Sequence, residues 1–327
     1  MNEQYKHNVW MFHYMFLIPP LLLGVFSFLP WLFARESGYY LHPFSYANHM
    51  SPIQGMDGEV FGKHNLLHYN PHQTQVAVNI SQAAYCMNPF SEWDCKTCDA
   101  NNIYENLITK NGMQVILGYN QEYGAIFIGY RGSENIQNWI SNLQVSKIFP
   151  YSNNGDENIA LEKGFYNLFQ SLKPNIYSAV NNLVSKYHTN QLFITGHSLG
   201  AALATINAFD VKYQNEPYQI FTLTTFGSPR VGNAAFVDAF SRYGISSIRV
   251  THYYDIVPHV PENFLDYYHV SQEVWYNEVN SDYTLCSDGD NKEDPYCSDS
   301  CAPTKCTSIS DHMNYVKINM GEGGDCW

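Results

Sequence analysis

Positive charge is scarce in this chain. Only 17 Lys and Arg stand against 30 Asp and Glu, a formal net charge of -13 over 327 residues. A surface of that sign repels a phosphate backbone, so binding to nucleic acid or to an anionic membrane by charge is excluded as a primary mode. Charge of either sign is thin at 14% of residues, while hydrophobic residues make up 45%. That balance fills a core and rules out a chain kept disordered by low hydrophobicity. A P-loop, a dinucleotide-binding glycine pattern, an internal repeat and a convincing zinc set are all missing, so no cofactor and no metal are expected.

Cysteine is absent between Cys98 and Cys286, yet the chain has eight: Cys86, Cys95, Cys98, Cys286, Cys297, Cys301, Cys306 and Cys326. Cys95-Lys96-Thr97-Cys98 has metal-type spacing, but the other half of such a site is not obvious. The four later cysteines up to Cys306 sit in a polar stretch rich in Ser and Asp, which suits disulfides better. An oxidising compartment fits the leader. Lys6 and His7 precede an apolar run from Trp10 to Phe33, broken by Pro19, Pro20 and Pro30. Residues 1–34 read as a signal peptide, with a signal anchor as the alternative, because paired prolines disfavour a straight spanning helix. Ala34 is a weak cleavage candidate. The expected location is outside the cell or in the secretory lumen, or tethered to a membrane if the leader stays. Asn79-Ile80-Ser81 is a glycosylation sequon inside an apparent helix, where an unmodified Asn is at least as expected.

Residues 35–72, rich in His, Tyr, Asn, Pro and Gly, read as a linker or propeptide-like segment. Regular patterning begins at Gln73 and defines a domain over 73–327. Val76, Ile80, Ala83 and Ala84 have helical spacing; Met113–Tyr119 and Tyr123–Tyr130 read as two strands joined by a turn. Gly164–Lys186 reads as a long amphipathic helix holding Pro174, a residue that kinks or splits helices. Leu192–Thr195, Ile220–Phe226 and Ser247–His252 read as buried strands, with helices at Leu199–Phe209 and Ala234–Tyr243 between them. Strand–helix alternation implies an α/β fold with a mostly parallel central sheet and helices on both faces.

Leu192–Thr195 runs into Gly196-His197-Ser198-Leu199-Gly200, then Ala201-Ala202-Leu203. This is G-x-S-x-G in the strand–turn–helix context the motif needs. A nucleophile on so tight a turn needs small neighbours, which Gly196 and Gly200 supply, and the helix opening at Leu199 points free N–H groups toward a reacting oxygen.

With Tyr130-Arg131-Gly132-Ser133, Asn138-Trp139-Ile140, Gly164-Phe165-Tyr166, Thr225 to Asn233, Asp255-Ile256-Val257-Pro258, Glu273 to Tyr276 and Asp311-His312 in that order, the chain resembles the class 3 lipase family over roughly residues 73 to 326. The resemblance implies the α/β-hydrolase fold and hydrolysis of ester bonds in acylglycerols. A Ser nucleophile needs a base and an orienting carboxylate, in chain order Ser, acid, His. Asp210, Glu216, Asp238, Glu262 and Asp266 compete with Asp255 for the acid, but Asp255 follows a buried strand and matches the family's position. His312 matches the family's base, ahead of His259 and His269, the first too close to Asp255 and the second in the strand-like run Tyr267–Tyr276.

Two oxyanion donors are expected, the N–H of Leu199 and, by the family match, Ser133. Ile136, Trp139, Ile140 and Leu143 then share one helical face directly after the oxyanion loop, where the family carries a lid over the active site. In family terms Cys86 pairs with Cys326 and Cys95 with Cys98; of three possible pairings of the remaining four, Cys286–Cys297 and Cys301–Cys306 are favoured. The expected partner is lipid at an oil–water or membrane interface, with no nucleic acid and no obligate protein partner evident. The alternatives are a phospholipase A1 or a soluble-ester esterase on the same fold. A catalytically dead binding protein would need a lost triad member, and none is missing.

Overall fold

The computed structural model describes residues 69–327, apart from 89–91, 144, 153–154, 271, 288–292 and 303. The leader at 1–34 and residues 35–68 of the expected linker lie outside the described residues. The first helix, α1 (Pro71–Cys86), starts where Asn70 Oδ1 accepts the N–H groups of His72 and Gln73 at 3.0 and 3.2 Å. Pro71 occupies the first turn, where its missing N–H leaves no bond unmade.

Three antiparallel strands follow, β1 (Asn102–Lys110), β2 (Met113–Asn120) and β3 (Ala125–Tyr130). Next come a short helix, α2 (Ile136–Asn142), and a small ladder of β4 (Lys147–Ile148) with β5 (Leu161–Glu162). The chain then alternates through α3 (Lys163–Tyr187), β6 (Gln191–His197), α4 (Leu199–Tyr213), β7 (Gln219–Phe226), α5 (Ala234–Arg242), β8 (Ser247–His252) and β9 (Glu273–Tyr276). It closes with β10 (Tyr283–Leu285), α6 (Ile309–His312) and the pair β11 (Asn314–Tyr315) and β12 (Ile318–Asn319). The described residues build an eight-stranded sheet in the order β1-β2-β3-β6-β7-β8-β9-β10. From β3 to β9 the ladders are parallel; β1, β2 and β10 are antiparallel additions at the two edges.

Both faces of the sheet are buried, which explains why its strands read as continuous apolar runs. Alternate residues go to opposite layers. Ile126, Ile128 and Ile194 pack with Leu172, Ile176 and Val180 of α3, Ala202 and Ile206 of α4 and Phe236 of α5. Phe127, Phe193 and Phe226 turn the other way, onto Val76, Ala77, Ile80 and Ala84 of α1. The fully buried alanines 201, 202, 204 and 208 keep α4 close to the sheet. Asn79 lies mid-helix with Oδ1 accepting from Gln75 at 3.1 Å, and Ser81 is fully buried against Thr195.

Two strands of the large sheet, and the two-residue strands β4, β5, β11 and β12, are not legible in the sequence. β1 is an edge strand, mostly half-exposed, so no apolar run marks it, and β10 is three residues long and exposed. Pro174 sits inside α3 without ending it. His269 falls outside β9, in a loop.

Four disulfides close Cys86–Cys326, Cys95–Cys98, Cys286–Cys297 and Cys301–Cys306. Cys95 and Cys98 are therefore bonded to each other rather than free to bind zinc. The first bridge spans 240 residues and joins the end of α1 to the C-terminal segment. Replacing both Cys86 and Cys326 by Ser should lower stability by roughly 2–5 kcal/mol, because the unfolded chain regains the entropy of a long open loop. The urea midpoint checks this, and an unchanged midpoint would mean that the packing of Gln82 and Gly321 around the bridge suffices alone.

Candidate active site

β6 delivers Ser198 to the turn before α4. Its backbone stands at φ 59°, ψ -130°, a strained region for a residue with a side chain. The turn is held by Ser198 N–H donating to Phe226 O at 2.9 Å. Its crossing is possible only with glycines: a Cβ on Gly196 would lie 2.5 Å from Gly200 O, and one on Gly200 would lie 2.3 Å from Tyr130 O.

Phe226 ends β7, and the next residue, Gly227, has φ 54°. A Cβ there would stand 2.9 Å from His312 Nδ1 and 3.0 Å from Asp255 Oδ2. The elbow, the acid and the histidine therefore meet at the carboxyl ends of β6, β7 and β8. A parallel bridge between Asp255 and Ser308 lays the segment carrying His312 beside the segment carrying Asp255. His312 Nδ1 is 2.9 and 3.1 Å from the two oxygens of Asp255. A carboxylate only accepts, so Nδ1 carries a proton. Asp255 also accepts from Val257 N–H at 2.7 Å and from the Tyr315 hydroxyl. Burial pushes its carboxyl up, but the His312 charge and these three donors outweigh that and hold it below the usual range. Ser198 Oγ and His312 Nε2 are both buried and have no hydrogen-bond partner among the described residues.

The competing candidates are placed elsewhere. His269 is half-buried with Nε2 donating to Pro258 O at 2.7 Å. His259 faces Cys301 Sγ at 3.6 Å and Asp299 at 4.0 Å. Asp210 is bound by Lys173 and Tyr177.

β3 ends in the loop Arg131-Gly132-Ser133, which presses on the elbow so closely that a Cβ on Gly132 would lie 2.9 Å from Ser198 Cβ. Ser133 Oγ donates to Asn135 O at 3.3 Å, holding the loop, and Asn135 caps α2 by accepting from Asn138 N–H at 3.0 Å. On α2, Ile136, Trp139 and Ile140 are half-buried while Gln137, Asn138, Ser141 and Asn142 are exposed; Leu143, expected within the helix, is its C-terminal cap. Trp139 stacks on Phe165 with ring centroids 6.1 Å apart. Between α2 and the start of α3 lies a cavity of about 490 Å³, lined in part by Ser133, Trp139, Leu143, Phe165, Leu168 and Leu199. Both expected oxyanion residues thus border a largely apolar space roofed by α2.

Two residues escaped the sequence reading. Tyr85 Oη lies 2.8 Å from His197 Nδ1, and His197 Nε2 lies 2.9 Å from His312 O. His197 was legible only as a variable position of the motif, and nothing marked Tyr85 within α1. Burial pushes the His197 imidazole down to about 3, with the nearby His312 charge adding to the effect. The unfolded side chain binds a proton near pH 6.5, so between about pH 6.5 and 3 the unfolded state holds more protons and stability rises with pH. Acidification through that window should destabilise the protein. The Tm–pH slope should be shallower in His197→Gln; an identical slope in both proteins would count against this cause.

The chain can now be set beside known proteins. The model of the family "Lipase (class 3)" matches residues 127–265. A lipase of Rhizomucor miehei is 31% identical over 252 residues, 74% of this chain and 67% of that protein. A lipase of Rhizopus niveus is 29% identical over 255 residues, 74% of this chain and 62% of its own length. The solved structure of lipase II from Rhizopus niveus superposes with a TM-score of 0.70 at 27% identity, covering 77% of this chain and 96% of that one. The chain belongs to the class 3 lipase family, and its described domain is a lipase-like carboxylic ester hydrolase of the α/β-hydrolase fold.

Proposed function

We propose that this protein hydrolyses carboxylic ester bonds of acylglycerols through a Ser198–His312–Asp255 triad and an acyl-enzyme. The observation that carries this is the fixed Asp255–His312 pair, with His312 Nε2 and the hydroxyl of the strained Ser198 both buried and without a hydrogen-bond partner among the described residues. Ser198 Oγ attacks the ester carbonyl while His312 Nε2 takes its proton. Asp255 keeps the imidazole in the reactive tautomer and stabilises its charged form. The N–H of Leu199 and the Ser133 position hold the developing oxyanion. His312 then protonates the departing alcohol, and a water activated by the same imidazole releases the acid.

Lipid, rather than dissolved ester, is the substrate the surroundings suit. The α2 face bearing Ile136, Trp139, Ile140 and Leu143 is half-buried, and its Trp139 and Leu143 line a cavity that also borders Leu199. When α2 swings away, that face needs a cover other than water, and a lipid surface supplies it at about 25 cal/mol per Å² of apolar area buried. Trp139→Ser should therefore weaken adsorption and activity on emulsified triglyceride while leaving hydrolysis of a short dissolved ester nearly unchanged. The ratio of the two activities is the readout. An equal fall in both would mean that α2 supports the oxyanion loop instead. A wild type whose activity does not rise as ester passes its solubility limit would be a soluble-ester esterase, and head-group profiling separates a phospholipase A1.

The same reading places the protein outside the cell or in the secretory lumen. Four disulfides fit an oxidising compartment, and no helix among the described residues is long and apolar enough to cross a membrane.

A further inference from the structure

The contacts of Tyr85 and His197 can be given a direction. His312 O is a carbonyl and only accepts, so His197 Nε2 donates to it at 2.9 Å. The buried imidazole is neutral, which leaves Nδ1 as an acceptor. Tyr85 O–H therefore donates to Nδ1 at 2.8 Å, and the Tyr85 oxygen packs against Gly132, where an added Cβ would lie 2.2 Å from it. One directed chain runs from the Tyr85 hydroxyl, seated against Gly132, through His197 to His312 O. Its ends meet the oxyanion loop, one residue before Ser133, and the backbone of the histidine proposed as base. Its middle member is the residue immediately before Ser198. Tyr85 and His197 are 4% and 1% exposed, too dry for water to replace either bond. The His197 and His312 rings also pack with centroids 4.5 Å apart.

We propose that Tyr85 and His197 are positioning residues for ester hydrolysis, locking the oxyanion loop, the nucleophile's elbow and the base into one geometry. The proposal rests on the triad reading above. Buried hydrogen bonds in a low-dielectric setting polarise one another and hold a single arrangement, and a shift of about 1 Å in a reacting group costs on the order of 10²-fold in rate. The competing view is that these bonds merely satisfy buried polar groups. That role would lower stability or the fraction of correctly folded enzyme, but not the turnover of each correctly folded active site.

The test compares Tyr85→Phe, His197→Leu and His197→Gln with wild type on a dissolved p-nitrophenyl ester. Active sites are counted by titration with an organophosphonate, and Tm is recorded in parallel. Tyr85→Phe keeps the ring and loses only the hydroxyl; it should lower kcat per titrated site by about 10- to 100-fold with KM nearly unchanged. His197→Leu should lose at least as much. His197→Gln, which keeps a donor for His312 O, should recover most of that loss. Turnover per site within twofold of wild type in both Tyr85→Phe and His197→Leu, with effects confined to Tm or active fraction, would overturn the proposal. A wild type that the phosphonate does not titrate would sink the triad reading, and this proposal with it. Should the variants fail to fold, nitrogen-15 shifts of the wild-type imidazoles still decide. His197 should be protonated at Nε2 and bare at Nδ1, and the opposite tautomer would contradict the directed chain.

Discussion

Replacing Ser198 by Ala should lower kcat by a factor on the order of 10⁴ or more while the fold is retained, and His312→Ala should do the same. The two losses should not multiply in the double variant, because nucleophile and base act in one step. Asp255→Asn should also be severe despite its small change in shape. An amide can donate to His312 Nδ1 and so favour the tautomer with the proton on Nε2, the atom that must accept it from Ser198. It also weakens acceptance from the Tyr315 hydroxyl and Val257 N–H. The measurement is kcat per folded molecule, with folding checked by circular dichroism. A folded His312→Ala variant of near-full activity would make the base assignment wrong, and the placements of His259 and His269 leave no ready substitute for it.

Gly200→Ala is also expected to be damaging, though less so, for a steric reason. The new methyl group would sit 2.3 Å from Tyr130 O and 2.7 Å from Arg131 O, both backbone atoms with no room to yield. The start of α4 must then move off the end of β3, and with it the Leu199 N–H proposed as an oxyanion donor. Overpacking of this kind costs about 1–3 kcal/mol in stability. A displacement near 1 Å at the reacting centre costs on the order of 10²-fold in rate. Urea unfolding and kcat on a dissolved ester measure the two effects separately. Wild-type values for both would mean that the contact relaxes at little cost.

Much of the arrangement was legible because the sequence marks it with residues that geometry leaves little choice over. Gly196 and Gly200 flank Ser198 because of the crossing distances just described, and the α/β layers follow from apolar runs separated by helical patterns. Asp255 and His312 are marked by order in the chain and by family likeness rather than by spacing, since 57 residues separate them and their segments meet only in three dimensions, where Ser308 bridges to Asp255 and Asp311 accepts from Tyr254 N–H. What stayed hidden is what periodicity does not encode. β1 lacks an apolar face because it is a half-wet edge. Leu143 keeps its side chain on the expected face of α2 but caps the helix, since a seven-residue element ends before a second full repeat. Nothing in the sequence marks Tyr85 within α1; its partner His197 is 112 residues away, and the meaning of the pair lies in hydrogen-bond directions, which exist only in three dimensions.

The central claim is that Ser198 is a nucleophile activated by His312. Incubation with a fluorophosphonate followed by peptide mass spectrometry tests it most directly. The account predicts one adduct per chain, located on Ser198, absent from Ser198→Ala and formed far more slowly in His312→Ala. No adduct on the folded wild type, or an adduct on another residue that persists in Ser198→Ala, would contradict it.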